Sequence, residues 1–318
     1  MRPGAYLEHA GVRIRTMDIR SEIYTKGLFD DRYRAFLETV AQLRPRLHRY
    51  CSRMTGSVMD GEDVVQEALF EAYRKLDQYD DSRALTPWLF GIAHNRCIDF
   101  LRKRNVREVA EVAAAVPDSV APANIPVLGI GRAVERLVIH LPPKERACVL
   151  LKDVLDYTIL EIAPLVGSTE GGVKAALNRG RAKLAALPSP KEIERVPNPE
   201  LSELLQLYVE RFNRRDWNGL RELISADAQL LFADGYGGRL LDSQYFSKYE
   251  TSPIRWKMAM GEVDGEPVLI TLQPDDAGWK PKSVVRLELA QGHIVRIADY
   301  LFCPWVLSAA DLVSVSEL

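Results

Sequence analysis

The sequence is poor in cysteine, and its cysteines do not cluster. Cys51, Cys97, Cys148 and Cys303 are far apart, and none belongs to a CxxC pair. Zinc and iron–sulfur sites need grouped ligands, and His94 close to Cys97 supplies no second pair. The sequence therefore predicts reduced thiols, with no bound metal and no cofactor.

Long apolar runs are also missing. No stretch approaches the ~18 apolar residues that a membrane-spanning helix needs, and the first 30 residues lack the apolar segment of a secretory signal. We therefore expect a cytoplasmic protein that makes no contact with a membrane. With 318 residues, 47% of them hydrophobic and 27% charged, the chain has the composition of a globular protein of two or three domains.

Net charge is nearly absent as well, at −2. This excludes a uniformly basic nucleic-acid-binding protein but not one with separate charged patches. Residues 60–81 include eight acidic and two basic residues, whereas residues 95–107 include five basic residues and one acidic residue. Such segregation is typical of a protein that contacts a basic partner with one surface and DNA with another.

Prolines and periodicity divide the chain into segments. We predict an extension over 1–30, an all-helical domain over 31–105, a linker over 106–131, a second all-helical domain over 132–187, a proline-rich linker over 188–200, and an α+β domain over 201–318. The α+β interpretation follows from the alternation of Val285, Leu287 and Leu289 with polar residues, and from turn signals at Asp264-Gly265 and Gln291-Gly292. The predicted fold class is thus multidomain, with two all-α domains followed by an α+β domain.

The strongest short motif lies between Asp156 and Leu184. An apolar helix face precedes Gly167, which permits a tight turn, and Ser168 or Thr169 can cap a second helix. The outer side of that helix offers groups suited to phosphates and base edges, namely Lys174, Asn178, Arg179, Arg181 and Lys183. On this pattern alone, a DNA-recognition helix and an ordinary solvated helix are equally good interpretations.

The preceding string Leu141-Pro142-Pro143-Lys144-Glu145-Arg146 favours the recognition helix. With Tyr157…Glu161-Ile162-Ala163 and Gly172-Val173-Lys174, it makes residues 132–186 resemble region 4 of a sigma-70-type factor of the extracytoplasmic-function (ECF) class. The resemblance implies that the second helix enters the major groove of the −35 promoter element. Ser168 and Thr169 then join the basic residues as expected DNA contacts.

The acidic string from Asp60 to Leu69 opens another helix. A charge run is ordinarily a solvated face. This string, however, resembles the signature of sigma region 2 that docks on the clamp helices of core RNA polymerase. The resemblance implies a polymerase-binding surface formed by Asp60, Glu62, Asp63, Gln66 and Glu67.

The stretch from Pro87 to Arg104 resembles the region 2 helix that holds the −10 element while the strands separate. An opened strand needs cations for its phosphates and polar groups for a base edge. The candidates are Asn95, Arg96, Asp99, Arg102, Lys103 and Arg104. Trp88 is more readily interpreted as a core residue than as a stacking platform. By the same resemblance, the linker over 106–131 follows the RNA-exit path of the polymerase.

Residues 201–318 resemble the SnoaL-like cone fold of the nuclear transport factor 2 superfamily. Some ECF sigma factors carry such a C-terminal domain, and the resemblance implies that it adjusts activity through intramolecular contact with the sigma domains. The candidate pocket, which could take a small hydrophobic ligand, comprises Asp234, Tyr236, Asp299, Tyr300 and Trp305. The DGGGK and NPxKL strings of some fused relatives are replaced by other residues in this chain.

The sequence as a whole predicts a non-enzymatic sigma factor whose partners are core RNA polymerase and promoter DNA. Two alternatives stay open. A C-terminal domain of isomerase or cyclase type could use the DNA-binding half as its output. A plain helix-turn-helix regulator that never meets polymerase would leave the acidic string unexplained.

Overall fold

A computed structural model of the protein describes residues 31–80, 82, 84–114, 140–186, 199–232, 236–276, 278–310 and 313–316. The predicted N-terminal extension and most of both predicted linkers lie outside the described residues. No helix within the described ranges is long and apolar enough to cross a bilayer.

The first helical domain contains three long helices, α1 (Asp31–Thr55), α2 (Val58–Arg74) and α3 (Leu85–Ala114). Helix α2 begins before the acidic string because the Ser57 hydroxyl caps it, accepting a hydrogen bond from the Asp60 amide at 3.3 Å. Helix α3 continues to Ala114, so the boundary predicted at residue 105 falls within a helix. Good helix formers, including Arg107 and Glu108, follow that boundary, and no proline interrupts the helix before its end.

The second helical domain is the predicted helix-turn-helix, formed by α4 (Pro143–Val149), a π-helical turn (Leu150–Val154), α5 (Ile159–Leu165) and α6 (Glu170–Ala185). Thr158 and Glu161 form a capping box at the start of α5. Gly167 adopts a φ of 58°, a conformation that favours glycine. Thr169, one of the two predicted caps, accepts from the Gly172 amide at 3.1 Å.

The two helical domains share one hydrophobic core. The rings of Phe90 and Tyr157 lie 5.4 Å apart across the junction. The buried guanidinium of Arg146 donates to the main-chain carbonyl of Met54 at 2.6 Å. Because these contacts are apolar or buried, the described parts of the two domains pack as one body.

The C-terminal domain is α+β, as predicted. Its helices are α7 (Pro199–Asn213), α8 (Trp217–Glu222), α9 (Tyr245–Glu250) and α10 (Pro304–Ala309). Its strands are β1 (Ile224–Phe232), β2 (Tyr236–Arg239), β3 (Lys257–Val263), β4 (Glu266–Asp275), β5 (Gly278–Ala290), β6 (His293–Asp299) and β7 (Val313–Val315). They form one mixed sheet in the order β2-β1-β6-β5-β4-β3-β7.

Two tight turns set the register of the central strands. Asp264 and Gly265 have φ values of 50° and 79° between β3 and β4, and Gln291 and Gly292 have values of 52° and 74° between β5 and β6. Positive φ at both central positions is the requirement of the primed hairpin turn that matches strand twist. Both predicted hairpins are therefore present.

The sheet has two covered faces. Aromatic and aliphatic residues on one face pack against α7 and α9, which makes the main core of the domain. The other face packs against α10 and also against Val58 and Met59 at the start of α2. The C-terminal domain thus docks on the first helical domain through an apolar patch beside the acidic string.

Candidate functional site

The acidic face of α2 lies directly under the C-terminal sheet. Asp60 is 9% exposed and Glu62 is fully buried, although both belong to the predicted polymerase-binding set. Burial of charged groups is costly unless they are paired. The partners of these carboxylates therefore define the contact.

Arg286 on β5 is the central cation of the contact. Its Nη1 donates to Asp60 Oδ1 at 2.5 Å, and the same guanidinium binds Glu266 on β4. The Asp60 and Glu266 carboxylates raise the pKa of Arg286 above its ordinary value, against the opposing effect of burial. One arginine of the C-terminal domain thus holds the first acidic residue of α2 in place.

Glu62 is enclosed by donors from both domains. Arg44 Nη2 on α1 lies 2.5 Å from Glu62 Oε1, and Trp305 Nε1 donates to Glu62 Oε2 at 2.6 Å. The Trp305 ring also stacks on the Arg44 guanidinium at 4.7 Å. Cys303 Sγ lies 3.5 Å from Glu62 Oε1. Because hydrogen bonds to ionised groups are strong, this arrangement fixes the segment around α10 against α2.

Asp63 has weaker partners than its neighbours. Its Oδ1 accepts from the Tyr300 hydroxyl at 3.1 Å, and the nearest guanidinium, on Arg296, is 3.8 Å from Oδ2. Burial and the Asp60 carboxylate raise the pKa of Asp63 to about 7, against the opposing effect of Arg296 and Arg286. Asp63 therefore changes its charge near neutral pH while the domains are docked.

The rest of the predicted polymerase-binding face remains open. Glu67 is exposed, Gln66 is half-buried, and the neighbouring Phe70 is 51% exposed. The C-terminal domain consequently covers the beginning of the face and leaves its continuation accessible.

The predicted −10 residues all lie on α3, but they do not share one face: Arg104 is half a helical turn away from Asn95. Asn95, Arg102 and Lys103 are exposed. Arg96 donates to Glu71 at 2.6 Å, Arg102 to Asp99 at 3.3 Å, and Arg104 to the carbonyl of Thr55 at 2.9 Å. Trp88 is half-buried and packs against the core, and its ring lies 4.7 Å from that of Tyr79 at an interplanar angle of 43°.

The predicted −35 residues lie along α6 and before it. Val173, Ala176, Leu177 and Gly180 are buried, whereas Thr169, Lys174 and Asn178 are exposed and Ser168 is half-buried. Gly180 is needed for packing, since a Cβ there would lie 3.0 Å from Val149. The other basic residues of α6 pair with acidic residues that precede the helix. Glu145 binds Arg179 and Lys183 at 2.9 and 2.8 Å, and Asp153 binds Arg181 at 2.5 Å.

The predicted pocket residues whose side chains the structure describes do not lie together. Asp299 belongs to the main core, where its Oδ2 accepts from Lys248 Nζ at 2.8 Å and from the Tyr249 hydroxyl at 3.0 Å. Tyr300 and Trp305 instead contact α2. Asp299 and Tyr300 point to opposite faces of the sheet because successive side chains alternate along an extended chain. Trp305 lies on α10, which covers the face that Tyr300 occupies. Asp234 and the side chain of Tyr236 lie outside the described residues.

Arg286, Arg296 and Arg44 take part in the contact, although no sequence motif marked any of them as a contact residue. A usable signal exists for two: Arg286 and Arg296 lie at alternating strand positions on the face that also carries Tyr300. Basic residues on a strand face that is otherwise covered indicate an acidic partner, because charged side chains are rarely buried unless they are paired. Nothing in the sequence indicates that the partner is α2.

Comparisons with known proteins agree with this architecture. The family model for Sigma-70 region 2 matches residues 39–107, and that for Sigma-70, region 4 matches residues 131–184. The ECF RNA polymerase sigma factor SigG of Mycobacterium tuberculosis is 32% identical over 227 residues, which cover 63% of this chain and 61% of SigG. This chain thus spans somewhat less than two thirds of SigG.

Two further proteins extend the comparison. The ECF RNA polymerase sigma factor SigW of Bacillus subtilis is 32% identical over 162 residues, which cover 47% of this chain and 87% of SigW. The crystal structure of the ECF sigma factor SigJ of Mycobacterium tuberculosis matches 87% of this chain and 99% of its own, with 15% identity and a TM-score of 0.34. Because SigW is matched over most of its length at this identity, the chain belongs to the family of ECF RNA polymerase sigma factors.

Proposed function

We propose that this sigma factor binds core RNA polymerase through the acidic face of α2 and recognises promoters through α3 and α6. We propose further that the docked C-terminal domain restrains the first of these steps. The observation that supports the restraint is the burial of Asp60 and Glu62 by Arg286 and Trp305. A surface cannot contact polymerase while the C-terminal sheet occupies it.

The open part of the face supports polymerase binding without undocking. Glu67 and Phe70 lie on the same side of α2 as Asp63 because they follow it at helical spacing. Core polymerase can meet this part first and then compete with the C-terminal domain for the covered part. Substitutions of covered residues and of open residues are therefore expected to affect polymerase binding differently.

Replacement of Glu67 by lysine is expected to weaken binding to core polymerase by roughly 30-fold or more, because charge reversal at an interface removes an attraction and adds a repulsion. Docking of the C-terminal domain should be unaffected, since Glu67 is exposed in the docked protein. Copurification of the full chain with core polymerase, followed by promoter-specific transcription, measures the effect. Glu203→Lys, at an exposed position of α7, is the matched control, and equal loss in both variants would contradict the proposal.

For the −35 step, Asn178→Ala is expected to reduce discrimination at one base position at a cost of about 1–3 kcal/mol. Lys174→Ala should instead weaken binding to all sequences alike and reduce the salt dependence by about one counterion. Both residues are exposed on α6, so neither change should unfold the domain. Affinities of the holoenzyme for promoter variants at several salt concentrations distinguish the two outcomes. Identical effects of the two changes on every promoter would argue against a recognition helix.

A ligand-responsive or catalytic C-terminal domain is the second candidate function. It is favoured by one observation, the buried Lys248–Asp299 pair surrounded by Phe232, Tyr245 and Tyr249. Burial lowers the pKa of Lys248 to about 8, against the opposing effect of Asp299. Buried acid–base pairs with shifted pKa values are typical of isomerases. Incubation with small hydrophobic compounds followed by mass analysis of the compounds tests whether any of them is chemically changed.

A further inference from the structure

Among the residues that the structure describes, the ion pairs of the docking contact involve more acidic than basic side chains. Its carboxylates come from α2, β4 and β5, and its guanidiniums from α1, β5 and β6. The five acids are Asp60, Glu62, Asp63, Glu266 and Glu288, and the three bases are Arg44, Arg286 and Arg296. A buried or half-buried contact with excess negative charge is unfavourable unless a proton neutralises part of it.

Each guanidinium is bound more closely to another carboxylate than to Asp63. Arg44 binds Glu62, and Arg286 is shared between Asp60 and Glu266. Arg296 lies 2.8 Å from Glu288 but 3.8 Å from Asp63. Asp63 is thus the carboxyl group with the least compensation, and its closest hydrogen-bond donor is the neutral Tyr300 hydroxyl.

We propose that Asp63 is a proton-dependent latch: the docked domains hold its carboxyl group protonated, and loss of that proton weakens docking and exposes the polymerase-binding face of α2. The latch rests on the proposed restraint of α2 by the C-terminal domain. It adds that the strength of the restraint depends on pH in the neutral range.

The sign follows from proton linkage. The docked carboxyl has a pKa of about 7, whereas a carboxyl on exposed α2 has an ordinary pKa near ~4. Between these values the docked state binds more protons, so acidification strengthens docking and alkalinisation weakens it. From pH 6.5 to pH 8 the docking constant should fall about fourfold, and above pH 8 it should become constant.

Glu266 and His48 are further titratable groups at the contact, and burial shifts the pKa of each. Burial raises the pKa of Glu266 in the same direction, although Arg286 opposes the shift. His48 on α1 lies 4.0 Å from Glu62. Burial lowers the pKa of His48 below its ordinary value of 6.5, so in the docked protein His48 is neutral above pH 6.5. His48 is unchanged in a variant altered only at Asp63, so comparison of that variant with the wild type removes the contribution of the histidine.

Cys303 provides a reporter within the full-length chain. Its thiol is 2% exposed and lies against Glu62, so alkylation requires that the domains separate there. The rate of Cys303 alkylation, followed by peptide mass analysis, is measured across the pH window in the wild type and in Asp63→Asn. Asparagine keeps the acceptor for Tyr300 and stays neutral, and the ratio of the two rates cancels the intrinsic ionisation of the thiol.

The ratio of wild-type to Asp63→Asn rates is expected to rise about fourfold from pH 6.5 to pH 8. Glu67→Gln, an exposed change on the same helix, should retain the full wild-type pH dependence. A ratio that stays flat would overturn the latch. No polymerase is present in this assay, so its outcome is independent of whether Glu67 binds core enzyme.

A second measurement covers the case in which Asp63→Asn itself prevents docking. The carboxyl carbon of Asp63, labelled with ¹³C and assigned by its absence from the variant, is titrated by NMR in the full-length wild type. A midpoint near 7 supports the latch, because only the docked environment raises the pKa. A midpoint near ~4, the ordinary aspartate value, would overturn it.

Discussion

Replacement of Arg286 by glutamate is expected to raise the apparent affinity of the full-length protein for core RNA polymerase by about tenfold or more. Arg286 bridges Asp60 and Glu266, and a glutamate there would place three carboxylates together. Loss of a buried, hydrogen-bonded charge pair typically costs about 2–5 kcal/mol. Docking weakened by that amount no longer competes with polymerase for α2.

Equilibrium binding to core enzyme measures the effect, and Cys303 alkylation confirms the undocking in the same variant. Arg214→Glu is the matched control, since the Arg214 side chain is 74% exposed and pairs with Glu210 on α7, away from the docking contact. If Arg286→Glu exposes Cys303 while core affinity stays at the wild-type value, docking does not restrain polymerase binding. The restraint would then have to act at a later step.

Replacement of Lys248 by methionine is expected to destabilise the C-terminal domain by about 3–5 kcal/mol. Asp299 is fully buried, and Lys248 is its cationic partner at 2.8 Å. Methionine fills a similar volume but leaves the carboxylate charged and uncompensated in an aromatic environment. Chemical denaturation followed by tryptophan fluorescence measures the change.

The double variant Lys248→Met with Asp299→Asn should recover most of the lost free energy of unfolding, because it removes the uncompensated charge. Lys280→Met should change stability by less than about 1 kcal/mol, since the Lys280–Asp275 pair is at the surface. A single variant as stable as the wild type would show that Lys248 contributes no compensation to Asp299.

Local structure was largely predictable. The start of α6 depends on a threonine cap, the turn before α5 on a capping box, and the β3–β4 and β5–β6 hairpins on residues that tolerate positive φ. Each of these signals acts over a few neighbouring residues. The start of α2 and the length of α3 were predicted less well, because the Ser57 cap and the helix-forming residues after residue 105 are local signals that the acidic string and the predicted linker obscured.

The site was predicted in its parts but not in its assembly. The acidic residues of α2 were identified, yet the domain that covers them was expected only to make some intramolecular contact. Tyr300 and Trp305 were assigned to a ligand pocket, whereas the structure places them on Asp63 and Glu62. The sequence pattern marks these aromatic residues as partly buried without specifying what buries them.

The sequence by itself determined the family, the helix-turn-helix, the acidic and basic helices and the α+β character of the C-terminal domain. Those properties depend on motifs and periodicities within single elements. Only the tertiary structure decided that Arg286 meets Asp60 across 226 residues and that Tyr300 meets Asp63 across 237. Contacts at such separations arise from the packing of whole domains, so the burial of Asp60 and Glu62 and the weakly compensated carboxyl of Asp63 appear only when the chain is folded.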